Sequence, residues 1–311
     1  MSLVRSALLK AAESQWLAHN LPRFSFSRRA VRRFMPGEEL NDALAEAEDL
    51  ARRGTGTVIT RLGENITSLA EARAVRDHYT AALDDIHRRA VPTHLSVKLT
   101  QLGLDISLEE TATHLDAITR ASAEFGAPLW IDMESSRYVD TTLDVFRRTR
   151  MNHKNVGLCL QAYLHRTSQD LGDLLESTTA IRLVKGAYKE SADVALQNKK
   201  QVDENYFQLA LQLLGAARAQ VTGYVPAFAT HDGRLIEAIS ARAREMGIPR
   251  DNFEFQMLYG IQPALQQKLA SDGYRLRVLI SYGAAWFAWY MRRLAERPAN
   301  VWFVAKSVIS S

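Results

Sequence analysis

The run IRLVKG, residues 181–186, has the β-branched, apolar make-up of a strand buried on both faces, yet it carries Arg182 and Lys185. Charge in such a run is expensive to bury unless it is paired or used. Runs of the same kind recur on either side. TVITRL (57–62), LSVKL (95–99), LWIDM (129–133) and VGLCLQ (156–161) precede it, and YVPAFAT (224–230), FEFQML (253–258) and LRVLIS (276–281) follow. Between them lie segments such as SLAEARAVRDHYTAALDDIHRRA (68–90), SLEETATHLDAITRASAEFG (107–126) and GRLIEAISARAREMG (233–247), with apolar residues at helical spacing. Many open on Ser, Thr or Asp and close near Gly or Pro, as helices do. Strand and helix alternating about eight times over about 250 residues predicts a (βα)8 barrel; an open doubly wound sheet shares the alternation, and the count favours the barrel. A helical segment at roughly 38–52 precedes the first strand and could plug the barrel's N-terminal mouth.

The 311 residues suffice for one large barrel, and no Pro/Ser/Gly-rich linker or low-complexity tract divides them. The expected organisation is a basic helical arm over 1–35 followed by the barrel over 36–311. The net charge is +4, and RFSFSRRAVRRFMPG (23–37) contains no acidic residue; such a patch can meet anionic lipid or nucleic acid, and it is more often a solvated surface. No apolar run is long enough to span a bilayer, and the first residues lack the core and cleavage site of a signal peptide, so a cytoplasmic protein is expected, with a peripheral contact at the membrane's inner face left open. The one cysteine, Cys159, excludes an internal disulfide and reads as a small apolar residue.

In a barrel of this kind the chemistry sits where strands end. Polar residues fall there in series: Glu64, Lys98, Asp132 with Glu134, Gln161, Arg182 with Lys185, Thr230 with His231, and Gln256. The set is strongly cationic and suits an anionic substrate, an anionic cofactor, or both. Near the C-terminus WYMRRLAERP (289–298) adds Arg292 and Arg293 in an aromatic helix, as a carboxylate clamp or as a solvated face with an Arg293–Glu296 ion pair. No metal is expected, because His and Cys are not clustered; Asp132 and Glu134, on one face at i,i+2, would not complete a magnesium cage. GxGxxG and GxSxG are both absent, which removes the common dinucleotide fingerprint and the hydrolase elbow. Lys98 or Lys185 could serve as a Schiff-base lysine. The residues alone imply a barrel enzyme acting on a small acid.

Seven stretches, LSVKLTQLG (95–103), IDME (131–134), LQAYLHRT (160–167), RLVKGAY (182–188), ATHD (229–232), FEFQMLYG (253–260) and RRLAERP (292–298), together and in order resemble the proline dehydrogenase family in its short bacterial monofunctional form. The resemblance implies an α/β fold, a distorted (βα)8 TIM-like barrel with extra N-terminal helices, that holds FAD and oxidises L-proline to Δ1-pyrroline-5-carboxylate. It implies a membrane quinone as electron acceptor, a separate pyrroline-5-carboxylate dehydrogenase as metabolic partner, and no nucleic acid. By the same likeness Lys98, Arg292 and Arg293 hold the proline carboxylate, Glu64 gates the pocket, and Tyr188 helps wall the ring. Asp132 and Arg182 take the catalytic positions, and Met133, Gln161, Arg166, Lys185, Gly186, Ala187, Thr230 and His231 contact FAD. Two positions depart from the family pattern: Leu279 and Trp289 stand where tyrosines that touch the substrate are usual. The change at Leu279 leaves 4-hydroxyproline or another cyclic amino acid as an alternative substrate; a flavin-free Schiff-base lyase and a binding protein without catalysis are the rival readings.

Overall fold

A computed structural model describes residues 11, 14–20, 31–63, 66–177, 180–219 and 225–296. Eight parallel strands close into a barrel in sequence order: β1 (Gly56–Arg61), β2 (Thr93–Val97), β3 (Leu129–Ile131), β4 (Val156–Gln161), β5 (Ile181–Val184), β6 (Ala227–Ala229), β7 (Glu254–Leu258) and β8 (Arg275–Tyr282), with β8 pairing back onto β1. Each expected run overlaps one strand, with ends shifted by up to a few residues. The helices are α1 (Gln15–Asn20), α2 (Leu40–Arg52), α3 (Leu69–Arg88), α4 (Leu108–Glu124), α5 (Val139–Asn152), α6 (Thr167–Leu175), α7 (Lys199–Ala219), α8 (Gly233–Glu245), α9 (Pro263–Ser271) and α10 (Trp286–Glu296). The starts legible in sequence have local causes. Ser68 accepts from the Glu71 N–H at 3.2 Å and Ser107 from that of Glu110 at 3.2 Å, which satisfies N–H groups otherwise left open in the first turn.

Residues 38–52 do form a helix, but α2 does not plug the N-terminal mouth. It packs on the outside of β1 and β8 through Ala43, Leu44, Ala47 and Leu50, all buried. Its N-terminal side is tied to the top of the barrel, where Glu38 accepts from the Trp286 indole at 3.0 Å, and its C-terminus turns directly into β1. α2 thus fills the wall position that the helix following β8 would take in a regular barrel. A plug needs a polar cap facing the strand bottoms, whereas the apolar stripe of α2 matches a β-sheet face. The displaced α10 lies instead at the C-terminal end. Gly283, at φ 116°, makes the turn after β8, and a Cβ there would stand 3.0 Å from the Leu62 carbonyl. Trp286, Phe287, Tyr290 and Leu294 of α10 then bury against Val31, Phe34, Met35 and Leu62.

The barrel interior is unusual in its chemistry. Such interiors are normally layers of branched aliphatics, but here Trp130, Arg182, Glu254, Gln256 and Arg277 fill much of it. Glycines on the neighbouring strands make the room: a Cβ at Gly56 or Gly157 would stand 2.6 Å from Arg277 or 2.7 Å from Trp130. The charges are compensated inside, as burial demands.

Candidate active site

A cavity of about 1380 Å³ opens at the C-terminal ends of the strands, where the alternation of barrel strands delivers side chains from β1 to β8 and α10 into one space. At its floor the Asp132 carboxylate is the hub. It accepts from Lys98 Nζ at 2.9 Å, from Ser96 Oγ at 2.9 Å and from the Arg182 guanidinium. Arg182 is 2% exposed, donates to Ser96 Oγ at 2.7 Å, and lies over the Trp130 ring at 5.1 Å. Burial alone would raise the Asp132 carboxyl, but the Lys98 ammonium and the Arg182 guanidinium outweigh it and hold the group below the usual carboxylate range. Among the described residues, two cations meet one carboxylate at this corner of the cavity.

α10 supplies more positive charge. Its buried stripe (286, 287, 290, 294) faces the N-terminal segment, which turns Trp289, Arg292 and Arg293 to the cavity at the i,i+3 and i,i+4 spacing of one helix face. Arg292 sits over the Tyr188 ring at 5.8 Å. Leu279, on β8, lines the same cavity while packing on Val58, Trp130 and Ala227.

The opposite side of the cavity is built at the ends of β4, β5 and β6. Gln161 is 2% exposed and donates to the Glu134 carbonyl at 3.1 Å, and its Oε1 is buried with no partner among the described residues. An orphaned buried acceptor at a cavity wall is a place for a ligand donor. Lys185 is held between Asp203 and Asp232, the latter at 3.0 Å, and Lys199 joins the same two carboxylates. His231 accepts the Leu258 N–H on Nε2 at 2.8 Å, which ties the end of β6 to that of β7 and assigns the ring proton to Nδ1. Gly186 has φ 110°, and a Cβ there would stand 2.3 Å from the Tyr163 ring. Gly186→Ala should therefore introduce about 1–3 kcal/mol of strain and lower the thermal unfolding midpoint; an unchanged melting curve would show that this loop has room to move.

The sequence profile of the family described as proline dehydrogenase matches residues 43–306. The chain belongs to the proline dehydrogenase family. It is 39% identical to proline dehydrogenase 1 of Bacillus subtilis subsp. natto over 284 residues, 91% of this chain and 92% of that one. It is 36% identical to proline dehydrogenase of Deinococcus radiodurans over 312 residues, 99% and 98% of the two chains. Among solved structures, proline utilization A from Bdellovibrio bacteriovorus, inactivated by N-propargylglycine, superposes with a TM-score of 0.80 at 24% identity, over 94% of this chain and 36% of that longer one, and carries the same fold. A Bradyrhizobium japonicum proline utilization A variant, D778Y, superposes with a TM-score of 0.74 at 25% identity, over 90% and 32% of the two chains.

Within this proline dehydrogenase fold, the cavity gathers Lys98, Asp132, Met133, Gln161, Arg182, Lys185, Gly186, Ala187, Tyr188, Thr230, His231, Leu279, Trp289, Arg292 and Arg293. Two expected positions stand elsewhere. Glu134 does not share a face with Asp132, because β3 ends at Ile131 and strand alternation ends with it; its carboxylate accepts from the Thr100 N–H at 3.1 Å and the Thr100 hydroxyl at 2.7 Å. Arg166 opens α6, and its guanidinium bridges Asp140 and Asp170, each at 2.7 Å, in a separate hollow of about 470 Å³. A pyrophosphate contact from Arg166 would require it to leave two carboxylates, so this placement speaks against that expectation. Glu64 lies outside the described residues. Sequence reasoning missed Ser96, Asp203 and the pairing role of Asp232. Ser96 was findable, since it lies on β2 two residues before Lys98, which follows the strand's last residue, and both side chains reach Asp132.

Proposed function

We propose that this protein oxidises L-proline to Δ1-pyrroline-5-carboxylate with FAD as the bound electron acceptor. The observation that supports it best is the two-sided cavity. One side carries the carboxylate-binding cations Lys98, Arg292 and Arg293; the other carries an orphaned acceptor on Gln161 and a close-approach glycine at 186. The donor set suits a flavin: Gln161 Oε1 can take an N–H, Gly186 lets the backbone come close, and the cavity is larger than a single amino acid requires. Met133, Gln161, Lys185, Gly186, Ala187, Thr230 and His231 would hold the group. When bound, FAD supplies a two-electron acceptor for the hydride that leaves proline C5.

The protein's own part is binding and orientation. The guanidinium forks of Arg292 and Arg293 fit the planar carboxylate of the substrate, and Lys98 anchors it from the barrel side. Three cations converging on one end of a small ring fix which ring carbon faces the cofactor. Asp132 pairs with Lys98 at 2.9 Å and holds it in place. That salt bridge weighs against a Schiff-base lyase, whose nucleophile is the free amine, and Lys185 is likewise engaged by two carboxylates. Arg182 places a positive charge by the reacting end, where it favours the reduced, anionic form of the cofactor. The proton on the substrate nitrogen leaves to water.

Electrons would pass on to a membrane quinone, and the product to a separate pyrroline-5-carboxylate dehydrogenase. No described helix is long and apolar enough to cross a membrane. Anaerobic turnover with L-proline and a soluble quinone should yield a cyclic imine that o-aminobenzaldehyde traps as a coloured adduct. Absence of the adduct would overturn the assignment. Leu279 favours testing a second substrate, since an aliphatic side chain lines the cavity where the family usually presents a tyrosine. We expect kcat/KM to remain higher for proline than for 4-hydroxyproline; the reverse order would make the hydroxylated ring the substrate.

A further inference from the structure

Below the cavity a relay of polar side chains runs down the barrel interior from Arg182. Gln256, on β7 and 2% exposed, accepts from Arg182 Nη1 on Oε1 at 3.4 Å and donates from Nε2 to Glu254 Oε1 at 2.6 Å. Glu254, two residues earlier on the same strand face, accepts from Arg277 Nε at 3.1 Å. Arg277 in turn reaches the Pro92 carbonyl at 3.1 Å, just before the start of β2. A primary amide can turn over and present either its oxygen or its nitrogen to a neighbour. Between a carboxylate below and a guanidinium above, one orientation satisfies both, with the oxygen toward Arg182 and the nitrogen toward Glu254. The Glu254–Arg277 pair therefore selects which end of the amide Arg182 meets. Ser96 and Asp132 both engage Nη2 of Arg182, so they fix one corner of its guanidinium, and Gln256 fixes another.

We propose that Gln256, its amide locked by the Glu254–Arg277 ion pair, is a positioning residue that sets the orientation of Arg182 toward the bound cofactor. The inference rests on the reading of Arg182 as the cation beside the flavin. It makes the charged interior of the barrel a support for the site: a guanidinium fixed at two corners presents its charge in one place, and one fixed at a single corner swings about it.

Two variants of the full-length flavin-bound protein test this. Gln256→Met keeps length and volume but removes the acceptor. The exchange Glu254→Gln with Gln256→Glu keeps the interior charge, returns an acceptor to Arg182, and leaves an amide at 254 that can accept from Arg277 and donate to 256. Gln256→Met should lower kcat for L-proline about tenfold. Its KM should stay within about twofold, since none of the three carboxylate-binding cations touches Gln256. The visible band of the oxidised flavin should also shift, without substrate. The exchange should recover kcat to within about threefold of the parent and restore the band. Parental kcat and spectrum in Gln256→Met, or an exchange variant as slow as Gln256→Met, would overturn the proposal. If the parent protein does not reduce its flavin with proline, the functional reading fails by itself. The flavin band and the flavin dissociation constant then decide the relay: a change in Gln256→Met that the exchange reverses supports it, and no change overturns it.

Discussion

Arg292→Met should raise the KM for L-proline about 30- to 1000-fold while the protein retains its flavin. The magnitude follows from the interaction removed. A charge-assisted bond to a carboxylate in a partly enclosed site, lost on one side only, costs about 2–4 kcal/mol, and each 1.4 kcal/mol is about a factor of ten. Methionine keeps an aliphatic stem but offers no donor and removes the guanidinium that lies over the Tyr188 ring. Arg293 and Lys98 remain to give the substrate a weaker hold. Because the clamp engages substrate and transition state alike, the loss should fall on KM more than on kcat. Steady-state kinetics with flavin content measured on the same sample checks this. An unaltered KM would remove Arg292 from the clamp, and loss of flavin would place it on the cofactor instead.

Asp132→Asn should be damaging in two ways at once. Lys98 is 13% exposed and Arg182 2%, and both depend on this carboxylate; an amide cannot neutralise either. Removing one partner from a buried charge cluster destabilises by about 3–5 kcal/mol, and the partial exposure of Asp132, 19%, argues for the lower end. The sign of the pH dependence also follows. The folded-state pKa of Asp132 lies below its unfolded value, so its contribution is fully present above about pH 4 and is lost as the pH falls through the folded value. The gap in thermal midpoint between parent and variant should therefore be widest at neutral pH and close on acidification. A gap that is absent at pH 7 would mean that Asp132 does not hold the cluster together. With Lys98 and Arg182 both loosened, kcat should fall together with stability, whereas Arg292→Met leaves the fold alone.

The strands were legible because each is a short apolar run with turn residues around it, and a parallel barrel needs them continuous. Strand ends were legible through misplaced charge: Lys98, Asp132, Arg182 and the arginines of α10 stand out in apolar company, and the structure brings them to one cavity. Other features were hidden for particular reasons. The place of α2 was not readable because its amphipathic pattern says only that one face is buried, not which surface covers it. Glu134 misled because strand alternation was carried past the last residue of β3. Asp203, at i,i+4 from Lys199, looks in sequence like a surface helix pair, and its contact with Lys185 comes from a different element. Glu254 and Arg277 did sit at strand-like positions, and the period of two that places Gln256 inward places Glu254 inward as well.

The most direct test of the account is the visible spectrum of the purified protein, recorded before and after L-proline is added without oxygen. Flavin absorption near about 450 nm that bleaches on adding proline is the predicted result, because an oxidised flavin absorbs there and its two-electron reduced form does not. A flavin band that proline leaves intact would contradict the proposed substrate, and a colourless protein that cannot take up FAD would contradict the proposed chemistry.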